Sequence, residues 1–188
     1  EVCFLDRETG TPIAEVKELP VPQAKIPGDW LSPTQPFSVG MPSFEGPKPS
    51  EQDMWGITPI DQAYCRILYQ RARFEGTFTP IQHDRPTIVW PGYLGGINWG
   101  SVSVDPGRQI MVVNSTHIAN YNQLIERSEA DKLGVAPMSA DNPRFSSISA
   151  QAGTPFASRV FPFLSPIGVP CQEPPYGLIS AVDLNSRS

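Results

Sequence analysis

Prolines fall along this chain from Pro12 to Pro175 with few long gaps, 22 of them among 188 residues. A proline inside a helix removes a backbone donor and clashes with the carbonyl four residues back, so frequent prolines leave little room for long helices. A helical bundle and a regular doubly wound α/β domain are excluded on that ground. Disorder is not the alternative. Together with 15 glycines the prolines make up about a fifth of the chain, below the ~25–30% of low-complexity sequences. A hydrophobic share of 39% and an aromatic share of 10% supply a core. The expectation is a loop-rich, mainly β chain of domain size.

The formal net charge is −5 and no basic run occurs, which argues against nucleic acid or an anionic membrane surface as partner. No stretch approaches the ~18 consecutive apolar residues that span a bilayer. Cys3, Cys65 and Cys171 lie far apart, with no CxxC or Cys/His cluster to suggest zinc or redox chemistry. Three buried thiols is the plainer reading; one disulfide with one spare thiol stays open.

The two ends share a local design. Phe4-Leu5 runs into the turn Asp6-Arg7-Glu8-Thr9-Gly10, and Ala181-Val182 runs into Asp183-Leu184-Asn185-Ser186-Arg187. Each is a strand entering an aspartate-led hairpin, as blades of a β-propeller would supply. The chain is therefore expected to be an excerpt. Its expected parts are the end of one blade (1–10), a proline-rich connection (11–86) and a blade meander (87–125), then a long loop (126–175) and the start of the next blade (176–188). The connection over 11–56 is expected to pack by side chains without a regular ladder. A helix is expected near 59–75, capped by Thr58, with Pro59 at its first position, Asp61 in its first turn and Gly76 at its end. Ile60, Tyr64, Ile67, Leu68 and Arg71 would form its inner face, with Arg66, Gln70 and Arg73 solvated.

No self-contained catalytic set is visible. His83 and His117 sit in different segments, and neither a nucleophile elbow nor a P-loop occurs. Gly95-Gly96-Ile97-Asn98-Trp99-Gly100 could let backbone approach a planar ligand, with indole and carboxamide supplying stacking and hydrogen bonds. The plainer reading is a tight β-turn anchored by Trp99. Asn114 ends an apolar strand, where an amide ordinarily caps the turn. Asp6, Asp105 and Asp183 read as turn aspartates rather than a catalytic pair.

Six blocks occur in order along the chain: Phe4-Leu5-Asp6-Arg7-Glu8-Thr9-Gly10, Pro33-Thr34-Gln35-Pro36-Phe37-Ser38, Asp53-Met54-Trp55-Gly56, Arg73-Phe74-Glu75-Gly76, Asn98-Trp99-Gly100 with Ser103-Val104-Asp105-Pro106, and Phe163-Leu164-Ser165-Pro166. Together they resemble the membrane-bound PQQ-dependent dehydrogenases of the glucose/quinate/shikimate family. The resemblance implies a fragment of an eight-bladed quinoprotein β-propeller, about two blades with long connections and one helix. It implies a periplasmic enzyme, anchored by an N-terminal membrane region, that oxidises a sugar or cyclic polyol, glucose first and quinate or shikimate next. Electrons would pass to PQQ beside a divalent metal, Ca or Mg, and then to ubiquinone through the membrane domain. The resemblance makes Asn114 the first candidate PQQ contact, with Asn98 second and Trp99 third. It places the family's base and lysine upstream of Glu1, along with most metal and PQQ contacts. This stretch alone is thus expected to be inactive and to self-associate through open blade edges. The rival expectation is a non-enzymatic propeller scaffold.

Overall fold

A computed structural model describes residues 2–97, 100, 102–139 and 147–188. Strands dominate, in three antiparallel sheets. A two-stranded ribbon pairs β1 (Val16–Pro20) with β2 (Thr34–Ser38). A four-stranded sheet has the order β3 (Thr87–Val89), β6 (Asn120–Glu126), β8 (Phe156–Pro162), β7 (Ile148–Ala150). A three-stranded sheet sets β5 (Ile110–Thr116) between β4 (Val102–Asp105) and β9 (Gly177–Asp183). Two α-helices, α1 (Pro59–Arg71) and α2 (Arg127–Lys132), and a short 3-10 turn (Glu51–Asp53) complete the described elements.

Several expectations are corrected by this layout. The 11–56 stretch does contain a ladder, and it carries prolines: Pro36 sits opposite Glu18 and Pro20 opposite Thr34. A two-stranded ribbon has an unpaired side on each strand, so a proline there need not remove a ladder bond. The strands between 87 and 125 do not form one meander. β3 pairs with β6, whereas the β4–β5 hairpin pairs with β9. The 126–175 stretch expected as a loop holds α2, β7 and β8, because Ile125, Ala130, Ala150 and Ala157 build a small core of their own. Its small residues gave little periodic signal.

Helix α1 begins as expected. Thr58 Oγ1 accepts from Asp61 N at 3.2 Å and donates to Asp61 Oδ2 at 2.9 Å, with Pro59 at the first helical position. It ends earlier than Gly76. After Arg71 the chain turns extended at Ala72, and Arg73 exchanges β-type bonds with Pro86 and Ile88 at 2.8 and 2.9 Å. Its inner face also differs. Asp61 and Cys65 are buried and Leu68, Tyr69 and Ala72 pack behind them, while Ile60 is 81% exposed. The reason is covalent: Cys65 is bonded to Cys171, and that bond decides which face turns inward. The reading of three buried thiols is thereby corrected; Cys3 is free and exposed. Nor is the outer face simply solvated, since Glu51 takes Arg66 Nη2 at 2.8 Å and Gln70 Nε2 at 2.9 Å.

The disulfide lies in the larger core, with Met54, Ile88, Trp90, Ala119 and Phe163. A second core, of Ala14, Met41, Phe44, Met111, Val113 and Val182, fills the inner face of the β4–β5–β9 sheet. Burying one such Met or Val side chain contributes about 1.5–3 kcal/mol.

One turn occurs three times. Asp6 Oδ1 accepts from Glu8 N and Thr9 N, Asp105 Oδ1 from Gly107 N and Arg108 N, and Asp183 Oδ1 from Asn185 N and Ser186 N. Four residues after each aspartate the backbone turns left-handed, at Gly10 (φ 72°), Gln109 (φ 55°) and Arg187 (φ 59°). These are turn aspartates, as expected, and the shared design extends to a third copy.

Candidate cofactor-binding site

Strand β5 organises the candidate site. Alternation turns Met111, Val113 and Ser115 into the core and leaves Val112 and Asn114 exposed on the opposite face. Register sets Asn114 beside Ile179, and Val112 between Ser103 and Ala181. Ile179 is 79% exposed. The described face thus carries Val112, Ile179, the small Ser103 and Ala181 and the Asn114 carboxamide, with Asp105 and Asp183 at its turn end beside Ile110. Asn114 does not end its strand, as was expected, because Gly96 extends the pairing. Gly96 N donates to Thr116 O at 2.6 Å, Thr116 N to Gly96 O at 2.9 Å, and the Thr116 hydroxyl to Leu94 O at 2.7 Å. With the strand continuing to Thr116, the Asn114 amide is not spent on a cap.

Asn98 and Trp99, the other two candidates, lie outside the described residues. The glycines before them serve chain-on-chain packing. A Cβ on Gly92 would meet Ile118 O at 2.7 Å, and one on Gly95 would meet Pro91 Cβ at 2.9 Å. Gly92 N donates to Ile118 O at 2.7 Å, which pins this turn to the β5–β6 connection. Buried Asn120 completes the clip: its Oδ1 accepts from Tyr93 N at 2.7 Å and its Nδ2 donates to Phe161 O at 3.0 Å. Sequence reasoning passed over Asn120, since an amide opening a strand carries no distinctive spacing.

The histidines differ in environment. His83 is exposed and stacks on Phe156, with ring centroids 5.6 Å apart. His117 is buried, and its Nε2 contacts Phe44 O at 3.0 Å. A carbonyl only accepts, so Nε2 carries the proton. Among the described residues no three His, Cys, Asp or Glu side chains gather in a way that could hold a metal. No helix among them is long and apolar enough to cross a membrane.

The Asn114 face can be weighed against PQQ, a planar quinone with three carboxylates. A free carboxamide offers both a donor and an acceptor to such a rim, and the apolar neighbours Val112 and Ile179 suit a flat ring. Among the described residues this face holds no cation and its turn end carries Asp105 and Asp183, so the carboxylate charges of PQQ would be met by other parts of the protein. The residues fit one edge of the group.

Residues 1–188 match the family described as PQQ: glucose/ethanol/alcohol dehydrogenase, β-propeller domain. The chain belongs to this PQQ β-propeller family. It is 47% identical, over 98% of its length, to the glycerol dehydrogenase large subunit of Gluconobacter thailandicus, of which it covers 26%. It is 40% identical over 99% of its length to the quinoprotein glucose dehydrogenase of Escherichia coli (strain K12), covering 23% of that protein. A probable quinate dehydrogenase (quinone) of Xanthomonas campestris pv. juglandis is 39% identical over the whole chain, which covers 24% of it. The chain thus spans about a quarter of the length of these relatives. No solved structure matches it. The resemblance carried by the six sequence blocks holds, and so does the mainly β expectation for this PQQ propeller stretch.

Proposed function

We propose that the whole protein is a PQQ-dependent dehydrogenase that oxidises a sugar or polyol and passes the electrons to ubiquinone. The observation that carries this reading is the match along the entire chain to relatives that are all dehydrogenases. The substrate class is drawn wider than glucose or a cyclic polyol, because identity to a glycerol dehydrogenase large subunit exceeds that to the glucose and quinate enzymes. The three-stranded and four-stranded sheets are taken as portions of two blades of an eight-bladed propeller.

Within that propeller Asn114 is assigned a hydrogen bond to PQQ, with Asn98 and Trp99 as further contacts. When bound, PQQ supplies the quinone that accepts hydride from the alcohol carbon, beside a divalent Ca or Mg ion. The base, the lysine and most metal ligands are assigned to parts of the protein outside this stretch. The stretch alone is then inactive, and its edge strands β4 and β9 would invite self-association. A periplasmic location, on a protein anchored in the membrane, is supported by the Cys65–Cys171 disulfide, since such bonds persist in oxidising compartments.

Dye reduction by the full-length protein tests this reading, with glucose, quinate and glycerol offered before and after loading with PQQ and Ca or Mg. Turnover that depends on PQQ is expected with at least one of them. No turnover with any of the three would favour a scaffold instead, and PQQ-independent turnover would refute the assigned cofactor.

A further inference from the structure

A cavity of about 450 Å³ lies between the 47–55 segment, the start of α1 and the turn after Cys171. That volume falls in the range of small-molecule sites, about 300–1,000 Å³. Its walls are held rigidly. Trp55 N donates to Cys171 O at 3.0 Å and Gln62 Nε2 to Met54 O at 3.1 Å. Buried Gln172 clamps the chain beyond β5, donating to His117 O and accepting from Ala119 N at 3.0 Å. The disulfide ties the same turn to α1. A site whose walls are already fixed gives up little freedom when a ligand enters.

Two buried polar groups in this wall are left with unspent capacity. Trp90 lines the cavity, is 6% exposed, and its Nε1–H has no acceptor among the described residues. Native folds seldom leave a buried donor in that condition. His117, 5% exposed, also lines the cavity; its Nε2–H is committed to Phe44 O, and its Nδ1 has no protein partner among the described residues. Trp55, Glu173 and the Lys48 side chain line the same cavity, with the Lys48 ammonium turned toward Gly76. The wall thus combines an unmet donor and polar side chains with aromatic surface. The two indoles match an apolar C–H face. Hydroxyl groups, each both donor and acceptor, match the mixed polar set. An anion would face Glu173, and a simple cation or a purely apolar ligand would leave the Trp90 donor unmet.

We propose that this cavity is an accessory binding site for a neutral sugar or polyol, distinct from the cofactor face. The register separates the two. Leu178, which lines the cavity, pairs with Ser115, whereas Asn114 pairs with Ile179, and neighbouring residues of a strand face opposite sides of the sheet.

The test uses the full-length protein free of PQQ, with glucose and glycerol as probes in saturation-transfer NMR. Wild type and Asn114→Ala are expected to bind alike, while Trp55→Ala binds about tenfold more weakly, the loss of one aromatic wall. Should Trp55→Ala not fold, Glu173→Gln on its exposed turn decides, with an expected loss of about threefold or more. Absence of sugar binding to wild type overturns the proposal. So does binding that survives both Trp55→Ala and Glu173→Gln unchanged. Dehydrogenase turnover, measured separately on PQQ-loaded samples, keeps failure of the proposed activity distinct from failure of this site.

Discussion

Opening the Cys65–Cys171 bond is expected to cost this fold more than any single side chain in it. The bond joins residues separated by 106 positions, so it removes a long loop's worth of freedom from the unfolded chain. Chain-entropy arithmetic for a loop of that size gives about 4.8 kcal/mol at 25 °C, against measured effects of about 2–5 kcal/mol. Both cysteines are fully buried, so reduction requires local opening, and Cys65→Ala/Cys171→Ala is the cleaner perturbation. Urea unfolding of the protein, followed by tryptophan fluorescence, should show the double variant destabilised by about 3–5 kcal/mol. Cys3→Ala, at an exposed free thiol, should stay within about 0.5 kcal/mol of wild type. Peptide mapping without reductant should recover Cys65 and Cys171 in one linked peptide. Free thiols at both positions, or a double variant as stable as wild type, would refute the reasoning.

Three further outcomes are expected. Asn120→Ala leaves the Tyr93 N–H and the Phe161 carbonyl without their partner, and should cost about 2–4 kcal/mol in thermal or urea unfolding. A cost under 0.5 kcal/mol would show that the clip does not matter. Gln109 holds a left-handed backbone where the sister turn has Gly10, so Gln109→Gly should stabilise by about 0.5–1 kcal/mol, and a lowered melting temperature would contradict this. Glu51 is held below its ordinary 4.5 by Arg66 and Gln70. Asp6 is held below 3.8 by the Thr9 and Glu8 N–H groups and the Thr9 hydroxyl, and Asp183 by those of Ser186 and Asn185. Each binds its proton more weakly folded than unfolded, so its stabilisation is complete above the unfolded value and is lost as pH falls through the folded one. Stability should decline as pH drops below that range, and Glu51→Gln should make the decline shallower; an identical slope would count against the pairing.

The sequence was most legible where structure is local. Thr58 and Pro59 start α1 through hydrogen bonds and ring geometry confined to one turn, and Asp6, Asp105 and Asp183 make turns by bonding the amides just after them. What was misread depends on distant partners. The inner face of α1 is chosen by Cys171, over a hundred residues away, so the helical pattern of Ile60 and Ile67 misled. β9 joins β5 across some sixty residues, which the apparent 87–125 meander gave no reason to expect. Asn114 was placed in the right strand but at its end, because the pairing of Gly96 with Thr116 leaves no trace in composition. His117 and Trp90 were invisible as cavity groups, since burial and an unmet N–H are properties of packing.

The open face of β5 is proposed above to form part of a PQQ site. Titrating PQQ into the cofactor-free full-length protein, wild type and Asn114→Ala, tests it most directly. Wild type should bind saturably, and Asn114→Ala should show a dissociation constant about tenfold higher, the loss of one hydrogen bond to a charged ligand. Equal affinities would remove Asn114 from the site, and the absence of PQQ binding to wild type would contradict the account as a whole.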